Sequence, residues 1–238
     1  MYYTFQELLE NINKESPVKL TIDPKNDLHL GICLEKFPLP VSINEPEFNY
    51  MKDFIIKHNL KTGIELATGT GISTLSIGLG MKETGGSLMS MDAYLEEKTQ
   101  QQPMNTKNQN SYLDSNCYKI ANYMKELYNL NETVSLKVGL SPHDLIKEIE
   151  NINQKVDFVF LDCPKNDQDY ERDIKAVYPY LSEKFAIFVH DTHCYKGKAD
   201  QINFQLFGKT FTKLYKYYEG TEHEITKHYP MALITNLI

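Results

Sequence analysis

The sequence predicts an α/β domain, a doubly wound sheet of about seven strands, mostly parallel with an antiparallel C-terminal strand. Three observations lead there. Short apolar runs alternate with helical stretches at the dozen or more residues that a parallel crossover needs. The runs are almost continuously apolar, as in strands covered on both faces. The last two runs are separated by GTEHEITKHYP, too short for a crossover helix, so they pair as antiparallel neighbours. At 238 residues, with 41% apolar and 24% charged residues, the chain can bury a sizeable core.

The elements follow in order. Residues 1–16 read as a short helix, and residues 17–47, with Pro17, Pro24, Pro38, Pro40 and Pro46, read as an irregular or extended cover. Phe48, Met51, Phe54, Ile55 and Ile56 predict a helix ending near Asn59. A strand is expected over Thr62–Ala67, and a helix over residues 72–82. Further strands are expected at Ser87–Met91, Thr133–Val138, Val156–Leu161 and Phe185–Val189. Helices at Ser141–Asn151 and Tyr170–Leu181 separate the last three of these. Beyond residue 194 come a helix near Asp200–Phe207 and strands at Lys213–Tyr218 and Met231–Leu237. Residues 96–111, EEKTQQQPMNTKNQNS, read as a polar surface loop, or functionally as a lid over the carboxyl edge of the sheet. The expectation is one domain over residues 1–238, with cover 1–47 and core 48–238.

Composition narrows the partners. The formal net charge is -7, from 25 Lys and Arg against 32 Asp and Glu, which disfavours nucleic acid and anionic membranes and favours a small-molecule ligand. A homodimer remains open. Cys33, Cys117, Cys163 and Cys194 form no C-x-x-C pair, and reduced thiols in a cytoplasm are expected. The first sixteen residues do not read as a signal peptide, and no run reaches the roughly 18 apolar residues of a membrane span.

The chemistry-bearing residues lie at the strand ends. In Glu65-Leu-Ala-Thr-Gly69-Thr-Gly71 a buried strand turns into a helix, and the glycines let backbone approach a ligand closely. A third glycine of G-x-G-x-x-G is missing, with Thr74 in its place. That points away from a dinucleotide, and Glu65 itself would repel a phosphate and suit a cationic cofactor. Asp92 ends the next strand 27 residues beyond Glu65, where a carboxylate accepts from ribose hydroxyls or, alternatively, caps a helix. Asp162 and Asp191 end VDFVFLD and FAIFVHD. Two such acids call for a cation between them, Mg2+ with several waters being the simple choice, unless one of them caps a helix or turn. His190 and Asp191, adjacent on an extended chain, are expected to point opposite ways and not share an ion.

These motifs, over residues 44–238, resemble the class I S-adenosylmethionine-dependent methyltransferases, and among them the catechol and caffeoyl-CoA type O-methyltransferases. The resemblance implies a Rossmann-like fold and places the methionine portion of the cofactor on Glu65, Ala67, Gly69 and Ser73, Ala67 standing where glycine is commoner. Asp92 holds the ribose, and Gly139-Leu-Ser141-Pro-His-Asp144 lies beside the adenine. Gly71, Ala93 and Asp162 complete the expected cofactor set. Asp162-Cys-Pro-Lys165 and Asp191-Thr192, followed by His193-Cys-Tyr-Lys-Gly197, match the metal-dependent members, with Thr192 replacing their Asn. The metal set implied is Asp162, Asp191 and Thr192; Lys165 is the implied base, assisted by Asp162, with His193 as the alternative. The implied reaction is methyl transfer to the hydroxyl of a small molecule, assisted by Mg2+. Two other readings stand beside it: a metal-dependent hydroxylase or hydrolase using Asp162, Asp191 and His193, and a non-catalytic nucleoside-binding relic.

Overall fold

The computed structural model describes residues 2–22, 32–35, 43–93, 107–162, 166–192, 195, 197–213 and 231–237, with the side chains of residues 33, 34, 107–116 and 213 excepted. Seven strands form one sheet: β3 (Thr62–Leu66), β4 (Ser87–Asp92), β5 (Val134–Val138), β6 (Val156–Leu161), β7 (Leu181–Val189), β8 (Thr212–Lys213) and β9 (Ala232–Thr235). Their order is β5-β4-β3-β6-β7-β9-β8. β5 to β7 run parallel across that order, while β9 is antiparallel to both β7 and β8. The chain leaves β3 toward β4 and β5, then returns to lay β6 against the other side of β3. That reversal opens a crevice at the carboxyl ends of β3 and β6, where ligands bind in open α/β sheets.

Strand periodicity sorts the core into two layers. Phe158, Phe160 and Phe188 face helices α1 (Phe5–Ile12), α2 (Glu45–His58), α3 (Ile72–Thr84) and α4 (Lys107–Leu127), meeting Phe48, Met51, Leu75 and Ile120. Ile64, Leu66, Val159, Leu161 and Ile187 face α5 (His143–Ile152), α6 (Asp167–Val177) and α7 (Lys198–Phe207), meeting Ile149, Tyr170 and Ile202. Glu65 lies between Ile64 and Leu66 in sequence and is therefore delivered to the α3 side. None of the described helices is long and apolar enough to cross a membrane.

α2 begins at an Asn44 capping box with Glu47 and stops at left-handed Asn59, the end that the sequence predicts. β6 occupies the expected residues. Three features depart from expectation. Residues 107–111 are not loop but the start of α4, a helix whose Cys117, Ile120, Ala121 and Met124 recur at helical spacing and are buried. The proline-rich cover contains a short antiparallel ladder, β1 (Leu20–Ile22) with β2 (Ile32–Leu34). β7 starts four residues early, because Leu181 already pairs with Val156. Residues 96–106 and 214–218 lie outside the described residues.

Candidate active site

The glycine-rich turn is shaped by backbone bonds from three directions. Asp162 N–H donates to the Leu66 carbonyl at 3.1 Å, and Ala67 N–H donates to the Met91 carbonyl at 2.9 Å. Gly69 N–H donates to Asp92 Oδ2, also at 2.9 Å. Ala67 is held at φ 74°, where an L-residue pays roughly 1 kcal/mol or more. Gly71, at φ 85°, begins α3, and a Cβ there would lie 2.8 Å from the Ala121 Cβ. This second glycine thus clears the face of α4.

Glu65 is fully buried behind this turn. Thr74 Oγ1 and Ser90 Oγ each donate to its Oε2 at 2.5 Å. Oε1 is buried with no hydrogen-bond partner among the described residues. Burial pushes the Glu65 carboxyl up to about 7; the hydroxyls of Ser73, Ser90 and Thr74 oppose that rise, and the Asp162 charge adds to it. Among the described residues no cationic side chain contributes.

The neighbouring β4 and β5 ends carry the next expected residues. Asp92 orders the turn through Gly69, and its carbonyl accepts from Gly139 N–H at 3.0 Å. Ala93 follows it, half-buried. Ser141 Oγ donates to Asp173 Oδ1 at 2.5 Å, and Arg172 Nε lies 2.8 Å from the same oxygen. The Ser141 hydroxyl is therefore engaged by α6.

At the ends of β6 and β7 the expected pair of acids has a third member and a ring among them. His190 Nδ1 lies 3.2 Å from Asp162 Oδ1 and 3.3 Å from Asp191 Oδ1, and Nε2 lies 3.4 Å from Glu47 Oε2. The expectation that His190 and Asp191 diverge is overturned: Asp191 sits at φ 54°, left-handed, which breaks strand alternation and returns its carboxylate to the ring. Burial alone would lower the His190 pKa, but Asp162 and Glu47 reverse this and hold it well above the usual imidazole value. Glu47, from the first turn of α2, is the member that sequence reasoning missed, since only the fold brings it to the strand ends. Thr192 is half-buried, and its carbonyl accepts from Tyr195 N–H at 3.3 Å. Lys165 and His193 lie outside the described residues.

The resembled family implies both a magnesium ion and S-adenosylmethionine. Magnesium takes oxygen ligands in a near-octahedral shell at about 2.0–2.1 Å. One atom each from Asp162, His190 and Asp191 can converge within 4.8 Å. Asp162 and Asp191 supply the two carboxylates that magnesium with several waters takes, while the His190 nitrogen is a softer donor and the Thr192 hydroxyl a weak oxygen ligand. Glu65 fits a cationic cofactor: a buried acid with one oxygen lacking a partner among the described residues suits an ammonium group.

A model of the methyltransferase domain matches residues 64–192, more than half of the chain. The chain belongs to this family. No curated protein matches the sequence. Among solved structures, the methyltransferase domain is similar to an O-methyltransferase from Bacillus cereus in complex with S-adenosylhomocysteine. Identity is 16% and the TM-score 0.55, over 83% of this chain and 84% of that one. It is also similar to the O-methyltransferase TomG from Streptomyces achromogenes, solved with S-adenosylmethionine, at 15% identity and a TM-score of 0.58, over 83% and 82% of the two chains. A third likeness is to the Podospora anserina methyltransferase PaMTH1, bound to S-adenosylhomocysteine, at 13% identity and a TM-score of 0.53, over 80% and 79%. These likenesses establish the class I methyltransferase fold.

Proposed function

We propose that this methyltransferase domain transfers the methyl group of S-adenosylmethionine to a hydroxyl of a small molecule. One observation carries the reading: a buried carboxylate, Glu65, with one oxygen lacking a hydrogen-bond partner among the described residues, behind a glycine turn at the switch point of the sheet. In this reading Glu65 Oε1 accepts from the amino group of the cofactor's methionine portion, beside Ala67, Gly69 and Ser73. Asp92 accepts from the ribose hydroxyls and Ala93 lies next to it, while Gly139 and Ser141 border the adenine. The neighbours solved with S-adenosylmethionine or S-adenosylhomocysteine support the choice of cofactor.

The cofactor supplies an electrophilic methyl group on a sulfonium centre. The acceptor oxygen attacks that carbon and the neutral thioether leaves. The task of the chain is alignment, worth roughly 7–11 kcal/mol when the geometry is good. A base near the acceptor hydroxyl adds about 100- to 10,000-fold. By the family resemblance we assign that role to Lys165, with His193 as the other candidate, and a cytoplasmic location and a small-molecule partner go with the same reading.

Calorimetry with S-adenosylmethionine and S-adenosylhomocysteine tests it. The expected result is one site per chain, weakened by Asp92→Ala. Absence of binding for both compounds overturns the reading. Once binding is found, labelled cofactor offered with a panel of hydroxylated compounds identifies the acceptor, and activity that survives without the cofactor would favour a hydrolase instead.

A further inference from the structure

Thr74 stands where a third glycine would complete G-x-G-x-x-G, and its side chain does what no glycine can. From the first turn of α3 its Oγ1 donates to Glu65 Oε2, and from β4 Ser90 Oγ donates to the same oxygen, both at 2.5 Å. Ser90 is the register partner of Glu65 in the parallel ladder, so the two side chains leave the same face of the sheet. Behind them, Thr68 Oγ1 lies 2.6 Å from Ser90 Oγ. A hydroxyl carries one hydrogen, and that of Ser90 is committed to the carboxylate, so Thr68 is the donor between the two. The Thr68 carbonyl accepts from Gly71 N–H at 2.8 Å, which ties this chain of hydroxyls to the glycine turn.

These side chains are withdrawn from water together: Glu65 and Ser90 are 0% exposed, Thr68 2% and Thr74 4%. Each carboxylate oxygen offers about two lone-pair sites. On Oε2 both are taken, by donors from two different elements, which fixes the plane of the group, while Oε1 has no hydrogen-bond partner among the described residues. The Ser73 hydroxyl, beside Thr74, also favours the ionised carboxylate. Such an oxygen, shielded from water, holds a cationic donor about twice as strongly as a neutral one.

We propose that Thr74 and Ser90, backed by Thr68, hold Glu65 by Oε2 and so reserve Oε1 for the ammonium at the amino-acid end of the cofactor. They are positioning residues, and through Glu65 they select nucleosides that carry that end. For the identity of the ligand this rests on the methyl-transfer reading; the role of the three hydroxyls goes beyond it.

Calorimetry on the full chain tests it by comparing S-adenosylhomocysteine with 5′-methylthioadenosine, which keeps the nucleoside and the thioether and lacks the amino-acid end. In the double variant Thr74→Val with Ser90→Ala, S-adenosylhomocysteine is expected to bind about tenfold more weakly and 5′-methylthioadenosine as before. Thr74→Ser, which keeps the hydroxyl, is expected to bind both as the wild type does. Equal weakening of the two ligands, which a merely structural role would give, overturns the inference, and so does undiminished binding of S-adenosylhomocysteine. If the double variant does not fold, Thr74→Val alone against Thr74→Ser decides by the same comparison. In a Glu65→Ala background there is no carboxylate to hold, so adding Thr74→Val is expected to cost S-adenosylhomocysteine nothing further, and an additive loss overturns the inference. A wild type that binds neither compound overturns the methyl-transfer reading and this inference with it; a wild type that binds S-adenosylhomocysteine while the variants fail the comparison overturns the role of the hydroxyls alone.

Discussion

Glu65 and Asp162 lie at the ends of adjacent strands, Glu65 fully buried and Asp162 only half-buried, and the protein treats them in opposite ways. Around Glu65 it places hydroxyls and leaves Oε1 without a hydrogen-bond partner among the described residues, and burial drives the group up to about 7. Around Asp162 it places an imidazole that is itself held by two further acids. The first end has a charge that an incoming cation can satisfy; the second already has an imidazole set against its acids.

Substitutions at the two ends should separate them by sign. The largest effect is expected for His190→Ala, which removes the ring that Asp162, Asp191 and Glu47 share and should destabilise the chain by about 3 kcal/mol in urea unfolding at pH 7. Glu65→Gln should weaken S-adenosylhomocysteine about 100-fold in calorimetry, or about 2.7 kcal/mol, by removing a charge-assisted contact. The same change should leave the ligand-free chain as stable or more stable at pH 8. Equal destabilisation by both variants would erase the contrast.

The pH dependence sharpens it further. A carboxyl raised from 4.5 to about 7 binds more protons folded than unfolded, so its contribution to ligand-free stability falls as pH rises between those values. Binding of a cationic group to the ionised form should run the other way, with cofactor affinity rising about tenfold from pH 6 to pH 8 and levelling above. Glu65→Gln should flatten both curves. The His190 contribution, from a group raised above 6.5, should be whole below pH 6.5 and fall as pH rises from there to its elevated value. The smallest effect is expected at Ala67→Gly, a gain of about 1 kcal/mol from relieving the φ of 74°, offset in part by the added freedom of the unfolded chain.

The strands were the most legible part, because burial on both faces writes an apolar run directly into the sequence; Val156–Leu161 stands out between charged residues for that reason. Helix α4 was missed although Cys117, Ile120, Ala121 and Met124 keep helical spacing, since its polar start continues the Gln- and Asn-rich stretch before it. At the site, the acids and glycines could be read as residue types, but not their partners. That Gly71 clears α4 depends on packing from 50 residues away. The shared orientation of His190 and Asp191 depends on one left-handed residue, which a strand pattern does not encode. Glu47 reads as an ordinary capping acid until α2 is laid beside the strand ends.

That first turn of α2 serves two structures at once. Glu45 accepts from the Tyr2 hydroxyl and Phe5 N–H, and Asn49 clasps the backbone of Tyr3, while Glu47 reaches His190. A segment grafted in place of the N-terminal cover would also re-seat the helix turn that carries Glu47. Exchange of such covers between relatives is thus restricted to those that keep this turn, Asn44 to Asn49, in register.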